Sequence, residues 1–414
     1  MLKIFKASKL PDYFSWSTIA LALFPILSVS LRSNFTIIWC VVTFAAGLYG
    51  NAGKRSDLIY WMLPIGLFLM FTASLVYTDN LPAGLFVIEK SVPLAVFPLM
   101  LFWNKLQLKN KHFDIALTVY VAACFLLACY LLGMYIFSYE SDPSVPPHFE
   151  EIQKRQYAEQ ITGTHPTYLS TFILFAGIIC IDQLSSRKST FFQILGKAFI
   201  IVVFIGVSML LAARMPMIAF VVTLFFQLLV AQWSLLKKLM LVAVVLGILV
   251  LSIIAIPTIR QRALETIETK YELPEGEHFN STNLRVGIFH CTKEILEDHY
   301  FLGTGVGDAQ SVLNNCLHTL PTDAYRQIDY NTHNQFLGVW VKTGLPGLFL
   351  LLAIFVVGLW FSYRERNFLL AMFLIFSLIC FQTEELLSRQ AGITFFMYFY
   401  ILLKFSKSDR SDWF

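Results

Sequence analysis

Apolar residues recur along this chain in runs of about 20, the length at which a helix crosses a bilayer. Short stretches carrying Lys, Arg, Asp, Asn or Pro separate the runs. A membrane barrel would instead show strands of about ten residues that alternate apolar and polar positions. The pattern predicts twelve transmembrane helices, at approximately 14–31, 35–50, 58–77, 84–104, 113–138, 166–185, 191–212, 215–233, 237–257, 334–361, 367–384 and 390–405. The expected fold is an all-α polytopic membrane protein. Two longer polar stretches interrupt it, at 139–165 and 258–333. The second divides the chain into 1–257 with nine spans, a large loop at 258–333, and 334–414 with three spans and a tail. Helix-like segments are expected inside that loop at 258–272 and 284–298.

Composition agrees with the pattern. Of 414 residues, 57% are hydrophobic and only 14% are charged, against about 45–50% and about 25% in soluble domains. A soluble enzyme and a disordered chain are both excluded. The net charge of +4 gives no reason to expect nucleic acid. Met1 to Tyr13 carries lysines without a small-residue cleavage site, so no cleaved leader is expected.

The basic residues report orientation. Lys3, Lys6 and Lys9, then Lys54 and Arg55, Lys105, Lys109 and Lys111, Arg187 and Lys188, Lys237 and Lys238, Arg364 and Arg366, and Lys404, Lys407 and Arg410 fall in alternate loops. The positive-inside rule places these loops and both termini in the cytoplasm. The opposite short loops hold Arg32, Arg214 and Arg389, each in need of a reason to be there. The two long loops then lie on the outer side, and the larger is the expected seat of function. Of seven cysteines, five fall in predicted spans and read as apolar filler. Cys291 and Cys316 share the outer loop, where a disulfide is permitted but spacing leaves it open.

Several outer-face residues can carry chemistry. Arg214 begins a span with Pro216 in its first turn. A helix start offers free N–H donors and the positive end of the dipole, so an added arginine makes a phosphate site. A headgroup-seeking arginine is the plainer alternative. Arg285 lies in STNLRVGIFHCTKEIL, where Ser281 and Thr282 can cap a helix. Val286, Phe289 and Ile295 would give that helix an apolar face for the membrane surface. His333 and Asn334 stand where the loop meets the tenth span. A helix start and nearby arginines favour a neutral imidazole, as a general base requires; a simple capping role is the alternative. Gly303, Gly305 and Gly307 form GTGVGD, an anion nest or a flexible turn. His165 ends the first outer loop, and Tyr168 is either near the site or in the interfacial aromatic belt. Glu384, Glu385 and Arg389 are expected to pair locally. Glu89 and Lys90 lie inside a span, where charges face protein or water; they pair, or they serve a charged headgroup.

Together these pieces resemble the O-antigen ligase family, whose superfamily also holds O-antigen polymerases and bacterial protein O-oligosaccharyltransferases. The carrying motif is His-Asn, nine residues, then Gly-x-x-Gly. It reads here His333-Asn334-QFLGVWVKT-Gly344-LP-Gly347. Arg214 and Arg285 match the family's two arginine positions, and GTGVG fits as well. The likeness covers roughly 165–400. Phe289 stands where the family often has tryptophan, and Tyr300 follows His299 where proline is common.

The resemblance implies a GT-C-like glycosyltransferase working on the periplasmic face of the bacterial inner membrane. Its donor would be an undecaprenyl diphosphate-linked glycan, and its acceptor a hydroxyl on lipid A–core, on a growing polymer or on protein. The His-Asn spacing favours lipid A–core, the ligase reaction. Arg214, Arg285 and His333 would be catalytic. Asn334, Gly344, Gly347, His165, Tyr168 and Gly305 would bind substrate. Transfer would invert the sugar's configuration, with no metal and no cofactor. A transporter or flippase is the competing class, since intramembrane charge pairs are common in transporters.

Overall fold

The computed structural model describes residues 10–49, 57–103, 108–140, 150–186, 190–230, a few between 235 and 247, 271–276, 280–326 and 328–404. Fourteen helices of nine residues or more carry these segments: α1 Leu10–Leu21, α2 Val29–Tyr49, α3 Leu58–Ala73, α4 Leu81–Trp103, α5 Asn110–Phe137, α6 Glu150–Thr162, α7 Pro166–Ser186, α8 Phe191–Leu210, α9 Arg214–Val230, α10 Ser281–Asp298, α11 Ala309–Leu317, α12 Gln335–Arg364, α13 Phe368–Cys380 and α14 Gln390–Lys404. Seven of them are long and apolar enough to cross a membrane, while α9 and α13 are shorter apolar helices. No strand occurs among the described residues, only a single bridge between Gly276 and Thr322. The chain is an all-helical, multi-pass membrane protein. Helices suit a bilayer because each satisfies its own backbone groups where no water can.

Ten of the twelve expected spans coincide with described helices. Most of the expected span at 237–257 and of the segment at 258–272 lies outside the described residues. The first expected span, 14–31, needs correction. Its helix stops at Leu21, a short 3-10 turn occupies Phe24–Ile26, and a new helix starts at Val29. Pro25, the second residue of that turn, lacks the N–H a continuous helix would need. Hydrophobicity alone does not register this break. The outer loop at 139–165 holds a helix, α6, for which the sequence reading named no element.

The last helix sits at the centre of the bundle. Every residue from Ala391 to Leu403 is buried. Tyr60 of α3 stacks on Tyr400 with ring centroids 4.2 Å apart and donates to the Tyr400 carbonyl at 2.6 Å. Tyr400 returns a bond to the Tyr60 carbonyl at 3.1 Å. Aromatic packing and paired backbone bonds hold helices together where lipid removes the usual hydrophobic drive.

At one end of the bundle α10 and α11 form a cap with its own small core. Ile288, Cys291, Leu313, Leu317 and Tyr325 pack there with Val341 of α12. Asn280, rather than Ser281 or Thr282, caps α10 by accepting from the Thr282 and Asn283 N–H groups at 2.9 and 3.0 Å. The buried face of α10 is Ile288, Cys291, Ile295 and Leu296, set against protein. Of the face expected on the membrane surface, Ile295 is buried but Phe289 is 40% exposed. Cys291 and Cys316 form a disulfide that ties α10 to α11.

Candidate active site

The connections α3–α4, α6–α7, α8–α9 and α13–α14 and the start of α12 meet at the capped end. GTGVGD fastens the cap to them. Asp308 accepts from the Asp79 and Asn80 N–H groups at 2.7 and 2.9 Å. Gly307 N–H donates to the Thr78 hydroxyl at 3.3 Å. Gly305 takes φ +88°, and a Cβ there would lie 2.3 Å from Thr78 Oγ1. The run is therefore neither a flexible turn nor an open nest; its glycines allow close packing.

The two motif glycines have the same kind of role. Gly344 takes φ +66° and breaks α12 into two helical pieces. A Cβ on it would sit 2.0 Å from the Phe301 carbonyl oxygen. Thr304 N–H donates to the Val341 carbonyl at 2.7 Å beside this kink. A Cβ on Gly347 would meet Thr343 Oγ1 at 1.9 Å. Asn334 caps α12, accepting from Phe336 and Leu337 N–H at 2.9 and 3.1 Å, and its amide donates to the Gln382 carbonyl at 3.1 Å. The motif thus seats the cap on α12 and fixes the residue just before the cap position.

That residue is His333. Its φ of +45° is unusual for a side chain of this size, and its N–H is held by Asn331 Oδ1 at 2.9 Å. Ring Nδ1 is buried without a hydrogen-bond partner. Burial, then the charge of Arg285, lowers its pKa to about 4, with Arg155 adding to the effect; Glu385 and a hydrogen bond to the backbone of Thr383 push the other way. The imidazole is neutral at physiological pH. With the ring proton on Nε2, the unpartnered Nδ1 is an open lone pair.

His165 is brought close to it. Burial and the charges of Arg155, Arg389 and His333 lower its pKa to about 3. Its Nδ1 is likewise buried and unpartnered. Glu384 stands in the same field. Burial raises its pKa, while Arg155, Arg285 and the Thr167 hydroxyl oppose that rise. Tyr168 is buried rather than interfacial and donates to the Glu385 carbonyl at 2.9 Å.

Arg155 of α6 was missed from the sequence. It donates to the Ala212 carbonyl and to Thr167 Oγ1, both at 3.4 Å. Ala212 takes φ +49° in the turn just before Arg214. Arg155 thereby links the start of α9 to the start of α7, beside His165 and His333. Its signal in the sequence was weak: one basic residue in a polar loop with no motif. Arg214 is half-buried at the first position of α9.

Glu385 forms the wall behind His333. It accepts from Thr332 N–H and Oγ1 at 2.9 and 2.7 Å, from Ser388 Oγ at 2.5 Å and from Lys342 Nζ at 2.6 Å. Burial alone would raise its pKa, but Lys342 and these bonds lower it to about 2. Gly338 makes room, since a Cβ there would fall 2.5 Å from the carboxyl carbon. The local pairing expected among Glu384, Glu385 and Arg389 does not occur. Arg389 reaches Glu159 of α6 at 2.9 Å instead. Arg32 also finds its reason. It is buried and donates to the Phe24 and Leu27 carbonyls and to Thr164, next to His165.

Cys291, Glu294 and Cys316 cluster at metal-ligand distances. The disulfide withdraws both thiolates, so the group does not read as a metal site.

Residues 198–352 match the family model described as O-antigen ligase. The segment contains Arg214, Arg285, His333, Gly344 and Gly347, the residues that carried the resemblance. The match supports the O-antigen ligase family, a glycosyltransferase family of the ligase and polymerase type. No curated protein matches the chain.

Proposed function

We propose that this chain, with its O-antigen ligase domain at 198–352, transfers a glycan from undecaprenyl diphosphate to an acceptor hydroxyl, O-antigen to lipid A–core being the preferred pair. The site would face the periplasm, in the inner membrane of a GT-C-like enzyme. One observation carries the reading: a neutral His333 with an open Nδ1, in the field of Arg285 and Arg155.

The chemistry follows from these groups. A departing lipid diphosphate gains negative charge and needs cations rather than a proton donor. Arginine keeps its charge and grips phosphate oxygens with parallel N–H groups. Arg285, Arg214 and Arg155 would hold the diphosphate and stabilise its release. His333 Nδ1 would accept the proton of the acceptor hydroxyl as its oxygen forms the new bond to the anomeric carbon. The bond from that carbon to the diphosphate oxygen breaks, and the lipid diphosphate leaves with the electron pair. One displacement inverts the anomeric centre. Burial, with Arg285 and Arg155 adding to it, depresses the histidine's pKa, so the base stays unprotonated beside its anionic partner. A transporter would give no reason to hold a neutral histidine among arginines at one end of the bundle.

The test is a surface-glycolipid gel on a deletion strain complemented with wild type or His333→Ala. Loss of the whole ladder, with long glycan accumulating on undecaprenyl diphosphate, marks the ligase. Core bearing a single repeat marks the polymerase. An intact ladder in the His333→Ala strain sinks both.

A further inference from the structure

A cavity of about 310 Å³ is lined by Glu385 and by Asn331 and Thr332 just before His333, and the transferase reading makes no use of it. Phe71 and Phe86 line it from α3 and α4, Gln310 and Asn331 from the cap side, and Lys90, Lys342 and Arg389 supply charge. Lys90 lies nine residues into α4, about 13 Å along the helix. A charge at such depth is costly and turns toward protein or water. Here it turns to the cavity. Its Nζ lies 3.6 Å from the centroid of the Phe86 ring. It makes no salt bridge among the described residues; Glu89 next to it is exposed and only tempers its field.

The other two cations are already matched. Lys342 donates to Glu385 and to Ser388 Oγ at 3.1 Å, which leaves one of its three N–H groups unspent. Arg389 pairs with Glu159. The cavity therefore holds one uncompensated positive charge and spare N–H donors. Its wall mixes apolar side chains, among them Phe71, Phe86 and Leu313, with the polar Ser91, Gln310 and Asn331. Phe86 is 57% exposed, so the mouth reaches the flank of the bundle where lipid lies. The volume is at the low end for ligand pockets, suited to a headgroup rather than a run of sugars.

We propose that this cavity is a second anion site that seats the phosphate of a membrane amphiphile between α4, α12 and the cap, with Lys90 as its main cation. The inference rests on the transferase reading for its purpose: a reaction between two membrane-borne substrates needs a second seat, and His333, Arg155, Arg214 and Arg285 are not among the residues that line this cavity. Binding itself does not depend on that reading.

The experiment measures phosphatidic acid binding to the full chain in detergent by native mass spectrometry, with diacylglycerol as the phosphate-free control. Wild type should retain phosphatidic acid over diacylglycerol. Lys90→Gln should weaken that retention about tenfold, and Lys90→Arg should restore most of it. Arg285→Ala should abolish glycan transfer yet leave retention unchanged, so failure of the catalytic reading and failure of this one are told apart. Displacement by millimolar inorganic phosphate would support the anion site and assign it to a soluble phosphate; resistance would assign it to lipid. Equal retention by wild type and Lys90→Gln overturns the proposal. If Lys90→Gln does not fold, Ala83→Leu narrows the mouth with Lys90 intact and must also lower retention; unchanged retention there is equally fatal.

Discussion

At His333 the backbone and the ring chemistry depend on each other. A left-handed φ of +45° costs free energy, and it is held by the Asn331 bond before the residue and the Asn334 cap after it. The result is a buried, unpartnered Nδ1 on a ring in the field of Arg285 and Arg155. Replacing His333 by Ala should lower transfer by about a hundred- to ten-thousand-fold, read as initial rates with purified components. The acid limb of the rate profile should fall near pH 4, the value to which burial and Arg285 bring the ring, and not near 6.5. Stability has a related window. His333 and His165 ionise near 6.5 when unfolded, but near 4 and 3 when folded. Below 6.5 the unfolded chain binds more protons, so stability falls as pH drops from 6.5 toward 4. Melting temperatures should follow that slope, and a His165→Asn/His333→Asn double variant should flatten it. Arg155 makes a separate claim. If it shares the diphosphate, Arg155→Ala should cost about a hundredfold in transfer, and Arg155→Lys should recover little because the fork is lost. A near-normal rate for either variant would reduce Arg155 to a strut between α6 and α9.

Among the elements, α12 does most of the joining. Its first turn carries the Asn334 cap, its second faces Glu385 through Gly338, and its kink receives the cap loop at Gly344. Gly344→Ala would need a positive φ and would press a methyl group into the Phe301 carbonyl. Strain alone should cost about 1–3 kcal/mol, and the clash adds to it. Purified Gly344→Ala should melt earlier, and the 299–304 segment should be cut faster by protease. Equal melting and equal cleavage would mean that the kink is not what seats the cap. The wall formed by Glu385 follows the same logic at longer range. Thr332, Lys342 and Ser388 come from three parts of the chain and converge on one carboxylate. A buried carboxylate persists only with such company.

Across the whole molecule, what could be read from sequence was what depends on local pattern. Runs of apolar residues placed ten helices because a span must be continuous and apolar. His333, Arg285 and His165 were legible because each occupies a helix start or a motif. Arg155 and the Glu385 wall were not, since their partners lie far along the chain, as Arg389 and Glu159 do. The roles of Gly344 and Gly305 were read as binding because a glycine's spacing does not reveal what packs on it. The disulfide was left open for the same reason, and its presence now bears on orientation. Disulfides persist in oxidising compartments, and Cys291–Cys316 sits in the capped end that the positive-inside rule places outside. The bond spans 25 residues, so its removal should destabilise the cap by about 3.5 kcal/mol in the chain-entropy account. Intact cells treated with an impermeant reductant and then an impermeant maleimide should gain two labels on the chain, and none without the reductant. Labelling should vanish in the Cys291→Ser/Cys316→Ser variant, whose cap should melt at lower temperature. If both cysteines label only after the cells are opened, the capped end faces the cytoplasm. The donor could not then be a glycan presented on the outer face, and the proposed reaction would lose its compartment.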